Sequence, residues 1–471
     1  MTRPRLPWLL IGALWVAEMA SSFESAMILA ALKVLIAEFR DPVLVGWLVT
    51  GFLIVGAAAA ALVGRLGDLF GRRRVLLIVL AIGAAGSLLS WISSNYAVLL
   101  TGRIMQGVTG TILALCIGLV RENLPEERVP MGIGLMISGA SLGTAAGLVV
   151  GGAIVDQFSW HGIFLASAGF CLVALVLVRA FVPVSRTQPP GAPVDWLSGI
   201  LFAPGVILVL LYLSNGKSWG WGSPAALGFL AAGIALCGWW LRQSLRSANP
   251  LIDVRVLGNR AIAVSCAASA LVAMGTLQIT VFFSLLLQAP LWTGAGLGLT
   301  ATLAGLAKLP SNLTSVFAGP LGGWMTGRGG GRLALVAGAA VTTLGWVLVF
   351  LDTSSVAIVV GELIVISFGA TMLFAVAPTI IAGAAPPDRT SEVSGMLGVI
   401  RSLFLGIGSQ LVATLLAVDS VTRGRETYPS PFAYQLAVGV IIALSVAAML
   451  VSLAIPAGNK AAWEKQRAPS T

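Results

Sequence analysis

The sequence predicts an all-α integral membrane protein, on three observations. Hydrophobic residues make up 58% of the 471 residues, whereas charged residues make up only 10%. A soluble core cannot bury so large an apolar fraction. Apolar stretches of about 20 residues, the length that spans a bilayer as a helix, recur along the whole chain. Lys and Arg residues concentrate in the segments that join these stretches on one side.

Fourteen apolar stretches are long enough to form transmembrane helices. They lie at residues 7–32, 43–64, 75–93, 97–120, 131–155, 163–182, 196–214, 225–241, 261–288, 299–319, 333–351, 356–384, 392–418 and 431–455. Polar or glycine-rich residues separate each stretch from the next. The first stretch follows basic residues, as a secretory signal does, but its length and Glu18 favour a retained helix.

The basic residues orient these helices. When the N-terminus is placed in the cytoplasm, few Lys and Arg residues fall in the loops on the external side: Arg40, Lys217, Arg423 and Arg425. Because cytoplasmic loops retain Lys and Arg, this asymmetry predicts that both termini are cytoplasmic, in the plasma or inner membrane of a prokaryote. The net charge of +10 then reflects this asymmetry and contact with anionic lipid headgroups. It does not require a nucleic-acid partner.

A glycine-spaced, charged turn joins the second and third stretches, at residues 64–74. Its glycines let two helices approach closely at the membrane surface: Gly64, Gly67 and Gly71. Asp68 and the cluster that begins at Arg72 can form a latch that breaks and reforms. The turn resembles the signature loop of major facilitator superfamily transporters, although Leu69 stands where the family usually has a second basic residue.

A second turn at residues 319–328 repeats the glycine spacing of the first turn. The resemblance therefore implies the fold of this superfamily, two six-helix bundles around a central cavity. Two helices remain and are placed after a hinge rich in proline and glycine, an arrangement similar to the fourteen-helix drug:proton antiporter group. The predicted divisions are an N-terminal bundle, a hinge with the two additional helices and a following loop, and a C-terminal bundle with a short cytoplasmic tail: residues 1–183, 184–260 and 261–471.

The first helix carries two acidic residues, Glu18 and Glu24. Glu24 takes the place of the aspartate that the antiporter group keeps in this helix, and the resemblance implies a role in proton coupling. Ala26, Leu29 and Lys33 depart from the polar pattern of the group, so the lining of this helix differs from the usual one. Glu18 is a second candidate for proton coupling; alternatively, it pairs with a basic group of a neighbouring helix.

The fourth helix contains a segment, residues 103–110, that resembles the Arg-x-x-Gln-Gly-x-Gly motif of the same group. Thr109 stands where the motif usually has glycine. By this resemblance, Arg103 influences proton transfer from inside the bundle.

The fifth helix has glycines in the register of the antiporter motif, and they predict close contact with a partner helix in the other half and a role in gating: Gly143, Gly147, Gly151 and Gly152. Leu148 replaces the proline that normally follows Gly147. The missing proline removes a kink associated with sealing the external side, which favours uptake relative to export.

The second half contains three charged residues in predicted spans: Lys308, Glu362 and Arg401. A charged group costs about 2.5–3.5 kcal/mol at a helix centre on insertion scales, so it is retained with a partner, water or a function. We expect these three groups to form an ion-pair network, which is either structural or available to an anionic substrate.

The first interpretation of function is a proton-coupled antiporter that exports hydrophobic or cationic drugs or metabolites by alternating access. A carboxyl group in an apolar cavity can bind either a proton or a cation, because burial penalises its unpaired charge. The alternatives are a proton-coupled symporter for an organic acid, and a lipid transporter or non-transporting scaffold. No enzyme motif, metal-ligand spacing or cofactor signature is present in the sequence, so we expect a monomeric carrier without metal or cofactor.

Overall fold

The computed structural model describes residues 7–40, 42–185, 201–247, 250–423 and 426–455. Within these ranges the chain is helical, apart from short loops and one antiparallel hairpin of β1 (Ser420–Arg423) and β2 (Glu426–Pro429). The chain forms two compact units. The first comprises Met1–Gly258 and Ile381–Val399, and the second comprises Asn259–Ile380 and Ile400–Thr471. The predicted division into two bundles and a central insert stays a prediction.

The first unit contains nine α-helices among its described residues. They are α1 (Pro7–Phe39), α2 (Pro42–Phe70), α3 (Arg72–Trp91), α4 (Tyr96–Gly107), α5 (Ile112–Asn123), α6 (Val129–Gln157), α7 (Gly162–Phe181), α8 (Phe202–Trp219) and α9 (Pro224–Arg246). A 3-10 turn, Val108–Thr111, joins α4 to α5, so that the two helices form one span. In this unit α1 packs against α6, α3 against α7, and α8 against α9.

The second unit contains most of the remaining helices. They are α10 (Arg260–Met274), α11 (Ile279–Gln288), α12 (Ala301–Gly329), α13 (Gly331–Leu351), α14 (Val356–Ala384), α15 (Thr390–Leu416) and α16 (Pro431–Leu453). The end of α14 and the start of α15 belong to the first unit, because Ile381–Val399 packs there. The core of the second unit includes Trp346, which is fully buried beside Phe282 and Phe283.

Twelve helical segments of the described chain are long and apolar enough to cross a membrane. Two predicted spans fall outside this set. The span at 196–214 corresponds to α8, whose apolar part is the shorter Phe202–Gly216, and residues 196–200 lie outside the described ranges. The span at 299–319 corresponds to α12. The fourteen-span count therefore stays a prediction. Most of the hinge loop predicted at residues 184–191 also lies outside the described residues.

Several helices begin at a polar residue whose side chain accepts a hydrogen bond from the first turn. Asn95 accepts from the backbone N–H of Ala97 at the start of α4, and Asn259 accepts from that of Ala261 at the start of α10. Ser430 does the same for α16. Such caps satisfy backbone donors that have no partner within the helix, and so they fix where each helix starts.

Two sharp connections between helices have the same local geometry. Gly71 alone separates α2 from α3, and its φ is 96°; Gly330 alone separates α12 from α13, and its φ is 86°. Residues other than glycine rarely adopt this backbone conformation, so each connection requires a glycine there. The second turn predicted from the sequence, residues 319–328, lies within α12, and the sharp connection follows that helix at Gly330.

Three glycines of α6 lie against α1: Gly143, Gly147 and Gly151. A Cβ atom at Gly143 would lie 2.6 Å from the carbonyl oxygen of Met19, and one at Gly147 would lie 2.8 Å from that of Phe23. These glycines were expected to contact a helix of the other half, but in the structure they contact α1 of the same unit. This helix carries both acidic candidates. Gly152 differs, since a Cβ there would meet nothing within 4 Å.

Candidate functional site

The carboxylate of Glu24 lies at the meeting point of three helical segments in the first unit. It is 2% exposed. Its Oε1 atom accepts a hydrogen bond from Ser87 Oγ of α3 at 2.8 Å, and its Oε2 atom accepts one from Thr109 Oγ1 at 2.8 Å. Cys171 Sγ of α7 lies 3.4 Å from Oε1. Three side chains from distant parts of the sequence thus surround one acid.

Gly83 provides the space that Thr109 needs beside Glu24. A Cβ atom at Gly83 would overlap the Thr109 methyl carbon and would lie 3.7 Å from Glu24 Oε2. The absence of a side chain on this turn of α3 therefore lets the threonine reach the carboxylate.

Arg103 and Gln106 extend the polar cluster on the other side of Ser87. The Arg103 guanidinium donates through Nη1 to Gln106 Oε1 at 2.7 Å and through Nε to the carbonyl oxygen of Leu48 at 3.1 Å. It also lies 4.5 Å from the ring centroid of Phe52. Gln106 Nε2 donates to Ser87 Oγ. A continuous chain of hydrogen bonds therefore links the guanidinium to the carboxylate.

The charges of Glu24 and Arg103 are not in direct contact. Among the described residues, no Lys or Arg nitrogen lies within 4.0 Å of the Glu24 carboxylate oxygens. Arg103 Nη1 instead approaches the backbone oxygen of Glu24, at 3.4 Å. The carboxylate is therefore held by neutral donors, which permits it to exist in either protonation state.

Glu18 lies on the same helix and is also buried, at 5% exposure. Its Oε2 atom has no hydrogen-bond partner among the described residues. The alternative, a pair with a basic group of a neighbouring helix, is not seen in the described part of the chain. Its role in proton coupling stays a prediction.

The Asp68 carboxylate caps the start of α15. Its Oδ2 atom accepts from the backbone N–H of Glu392 at 2.9 Å, and its Oδ1 atom accepts from that of Ser391 at 3.4 Å. Arg72 Nε donates to Oδ1 at 2.7 Å. The first N–H groups of a helix lack internal partners and carry partial positive charge, so an acid placed there is stabilised. The predicted latch residues thus meet the segment Ile381–Val399.

Arg72 adds further bonds to this latch. Its Nη2 atom donates to the carbonyl oxygen of Pro387 at 2.7 Å, and its Nη1 atom donates to that of Gly118 at 3.1 Å and lies 3.4 Å from Glu122 Oε2. Gly64 allows the close approach, because a Cβ there would overlap the carbonyl oxygen of Ser391.

A second group of charges lies beside the latch and was not predicted from the sequence. Glu392, which is fully buried, accepts a 2.7 Å hydrogen bond from the backbone N–H of Asp253 and lies 3.5 Å from Arg65 Nε. Arg389 pairs with Asp253 at 3.4 Å and with Glu392 at 3.7 Å. The segment after α9 therefore contacts the same helix start as Asp68.

The three charged candidates of the second unit do not form an ion-pair network in the structure. Lys308 Nζ donates to Ser284 Oγ at 2.7 Å and to the carbonyl oxygen of Thr280 at 3.2 Å. Arg401 stacks on the Phe374 ring at 3.7 Å and donates to that residue's carbonyl oxygen. Glu362 is 3% exposed. Among the described residues no salt bridge within 4.0 Å joins any two of Lys308, Glu362 and Arg401.

Ser87 could not be identified as a site residue from the sequence, because a serine in an apolar helix belongs to no motif. Gln106 and Thr109 stand inside the quoted motif. Gln106 contacts Ser87 where α4 packs against α3, and Thr109 contacts Glu24 of α1 from the 3-10 turn. A signal for Thr109 existed in the sequence, since it replaces the glycine that is usual at that position.

Comparisons with known proteins agree on the family. Residues 14–409 match the sequence profile of the Major Facilitator Superfamily. The tetracenomycin C resistance and export protein of Streptomyces glaucescens is 25% identical over 433 residues, which are 91% of this chain and 78% of that protein. The multidrug efflux pump LfrA of Mycolicibacterium smegmatis is 27% identical over 417 residues, 88% of this chain and 81% of that protein.

A solved structure supports the fold. The human organic anion transporter MFSD10 superposes with a TM-score of 0.68 at 15% identity, over 94% of this chain and 99% of that chain. At this identity the likeness concerns the fold alone. Together with the sequence profile, it confirms the predicted fold: the chain is a helical integral membrane protein that belongs to the Major Facilitator Superfamily of transporters.

Proposed function

We propose that this transporter exports hydrophobic or cationic small molecules in exchange for protons, in the inner membrane of a bacterium. The observation that carries the proposal is the Glu24 carboxylate, which is buried and held by neutral donors without a direct ion pair in the described structure. Relatives named for drug resistance and efflux support the substrate class.

Competition for one carboxylate couples the two fluxes. When a proton is bound, Glu24 is neutral, and a neutral group tolerates an apolar surrounding far better than an ion does. When the proton leaves, the negative charge attracts a cationic substrate. Because Glu24 binds either the proton or the cationic substrate at one time, binding of the next proton releases the substrate. This scheme needs no covalent step and no metal.

Arg103 supports the same exchange from a distance. Its charge lies within the hydrogen-bonded chain through Gln106 and Ser87, so it stabilises the ionised carboxylate without neutralising it by contact. A direct pair would compete with the substrate for Glu24. The separation leaves the acid available.

The latch at Asp68 supplies the conformational half of the cycle in this proposal. Its bonds to the start of α15 stabilise the conformation observed here. Alternating access then requires that these bonds break in the opposite state, so Asp68 and Arg72 are gating groups and do not touch substrate.

The proposal is tested with inside-out vesicles that contain the protein and have an acidic interior. An antiporter should accumulate a fluorescent hydrophobic cation such as ethidium, and a protonophore should abolish the accumulation. Glu24→Gln mimics the permanently protonated acid, so gradient-driven accumulation should fall to the level of empty vesicles. Binding of a neutral substrate and passive exchange should persist.

Two variants serve as comparisons in this assay. Glu18→Gln should reduce accumulation less than Glu24→Gln does. Asp352→Asn alters an exposed acid that caps the turn before Ser354, and it should transport as the unmodified protein does. Undiminished gradient-driven accumulation by the Glu24→Gln protein would show that another group carries the coupling proton.

A proton-coupled symporter for an organic acid is the second candidate. Lys308 and Arg401 favour it, because neither has a carboxylate within 4.0 Å among the described residues and each can therefore attract an anion. Right-side-out vesicles with an acidic exterior distinguish the two proposals: uptake of a radiolabelled carboxylic acid supports symport, whereas uptake of the cation in the inverted vesicles supports antiport.

A further inference from the structure

We infer that Thr109 and Ser87 act as a hydroxyl switch that keeps the Glu24 carboxyl group fully hydrogen-bonded in both protonation states, with the proton carried on Oε2. The inference rests on the proposed role of Glu24 and adds two positioning residues to it. It follows from counting hydrogens around the acid, in three steps.

The first step fixes the orientation of Gln106. Arg103 has only donors, so the Gln106 atom that faces it at 2.7 Å must be the acceptor Oε1. The amide nitrogen then faces Ser87 and donates to Ser87 Oγ. The assignment of the amide therefore does not depend on how oxygen and nitrogen were placed.

The second step concerns the single hydrogen of Ser87. Because Ser87 Oγ accepts from Gln106, its own hydrogen has two possible acceptors: Glu24 Oε1 at 2.8 Å and the carbonyl oxygen of Gly83 at 2.9 Å. Rotation about the Cβ–Oγ bond exchanges these partners. Because the amide already uses one lone pair of Ser87 Oγ, Ser87 is a poorer acceptor than Thr109 for a hydrogen bond from the protonated acid.

The third step concerns Thr109, which has the same choice but no amide donor. Its hydroxyl lies 2.8 Å from Glu24 Oε2 and 2.8 Å from the carbonyl oxygen of Gln106. When Glu24 is ionised, Thr109 donates to Oε2. When Oε2 carries the proton, the acid donates to Thr109 Oγ1, and the threonine hydrogen turns to the Gln106 carbonyl oxygen.

Both states thus use the same heavy-atom positions. The ionised acid has two hydroxyl donors and the Cys171 thiol beside Oε1, and the neutral acid keeps the Ser87 and Cys171 donors while Thr109 becomes its acceptor. Loss or gain of the proton leaves neither oxygen of Glu24 and neither hydroxyl group without a partner, so proton exchange requires only the rotation of a hydroxyl group. The same positions with a glycine at residue 109 would lack this acceptor.

The test measures the protonation of Glu24 directly in the purified full-length protein. Infrared difference spectra recorded across pH 5 to 9 contain the carbonyl stretch of the neutral carboxylic acid, and loss of the band in Glu24→Gln assigns it. In Thr109→Val the ionised form loses a charge-assisted donor. The midpoint of the band should therefore rise by about one pH unit, a roughly tenfold gain in proton affinity.

Matched variants separate this effect from a packing change. Thr109→Ser keeps the hydroxyl and should titrate within about 0.3 pH unit of the unmodified protein, because both of its partners remain. Thr111→Val removes a hydroxyl from the same 3-10 turn that is equally buried but, among the described residues, bonds only to the Val108 carbonyl oxygen, and it should not shift the band. Thr109→Ala replaces Thr109→Val if the valine protein does not fold.

The inference is overturned if Thr109→Val keeps the original midpoint, if Thr111→Val shifts it equally, or if no neutral Glu24 band exists in this pH range. These outcomes are independent of transport. If Thr109→Val shifts the midpoint of the Glu24 band while the Glu24→Gln protein still shows gradient-driven transport, the hydroxyl switch is retained and the coupling role of Glu24 is rejected.

Discussion

Replacement of Asp68 by Asn should release the start of α15 from α2. The carboxylate accepts three hydrogen bonds in a buried place, two from the first turn of α15 and one from Arg72. Asn keeps one acceptor oxygen but turns an NH₂ group toward these donors, and it removes the negative charge that balances Arg72. The latched conformation is therefore destabilised relative to conformations in which these bonds are already broken.

The size of the effect follows from the burial of the pair. Removing one partner of a buried ion pair costs about 3–5 kcal/mol, and the side chain of Asp68 is 0% exposed. Because Asn retains one acceptor, we expect the lower limit, about 3 kcal/mol. Since about 1.4 kcal/mol corresponds to a tenfold change in population, the unlatched fraction should rise roughly a hundredfold.

Ser391→Cys provides a reporter of the latch. Ser391 is fully buried against it, and its hydroxyl has no hydrogen-bond partner among the described residues, so a thiol there replaces no bond. Labelling of this thiol by a maleimide in detergent requires opening. In a background without the four native cysteines, its rate should rise with the unlatched fraction when Asp68→Asn is added.

Controls define the specificity of this result. Glu122→Gln removes a longer contact to Arg72, at 3.4 Å, and should raise the labelling rate less than about tenfold. Asp352→Asn changes an exposed acid in the second unit and should leave the rate unchanged. If Asp68→Asn alters neither the labelling rate nor transport, Asp68 is not a latch.

Two further predictions concern stability. Gly71→Ala places a side chain at φ 96° and should cost about 1–3 kcal/mol of stability, measured as a lower Tm in scanning fluorimetry. Gly12→Ala is the control and should not lower the Tm, because the new methyl group has nothing within 4 Å. Equal Tm values for the two variants would contradict the strain argument. Glu362→Gln should leave Tm unchanged or raise it, because Glu362 is buried without an ion pair among the described residues. A drop that Lys308→Met or Arg401→Met reverses would restore the network hypothesis.

The sequence was most informative where a feature depends on local geometry. Gly71 could be predicted as a turn glycine because only glycine adopts the required φ without strain, and the structure has it there. The glycine of the second sharp turn, Gly330, lies just beyond the predicted turn at residues 319–328. The acid in the first helix and the arginine in the fourth could be identified because a charge in an apolar stretch is costly. These signals belong to single positions, so no knowledge of packing was needed.

The arrangement of the charges could not be predicted, because it depends on which helices cross. Lys308, Glu362 and Arg401 look like partners by composition, yet the structure gives Lys308 a serine and Arg401 an aromatic ring. Conversely, Asp253 and Arg389 are far apart in sequence but form an ion pair. The charged residues of the sequence show that buried charges need partners, but they do not show which groups are those partners.

The sequence by itself determined the membrane environment, the family and the position of the sharp turn at Gly71, because hydropathy and backbone stereochemistry act over a few residues. Only the tertiary structure decided that α6 packs its glycines on the acidic helix, that Asp68 caps α15, and that Thr109 reaches Glu24 through the gap at Gly83. Each of these depends on contacts within hydrogen-bond or van der Waals distance between segments far apart in the chain, which hydropathy and local spacing do not encode.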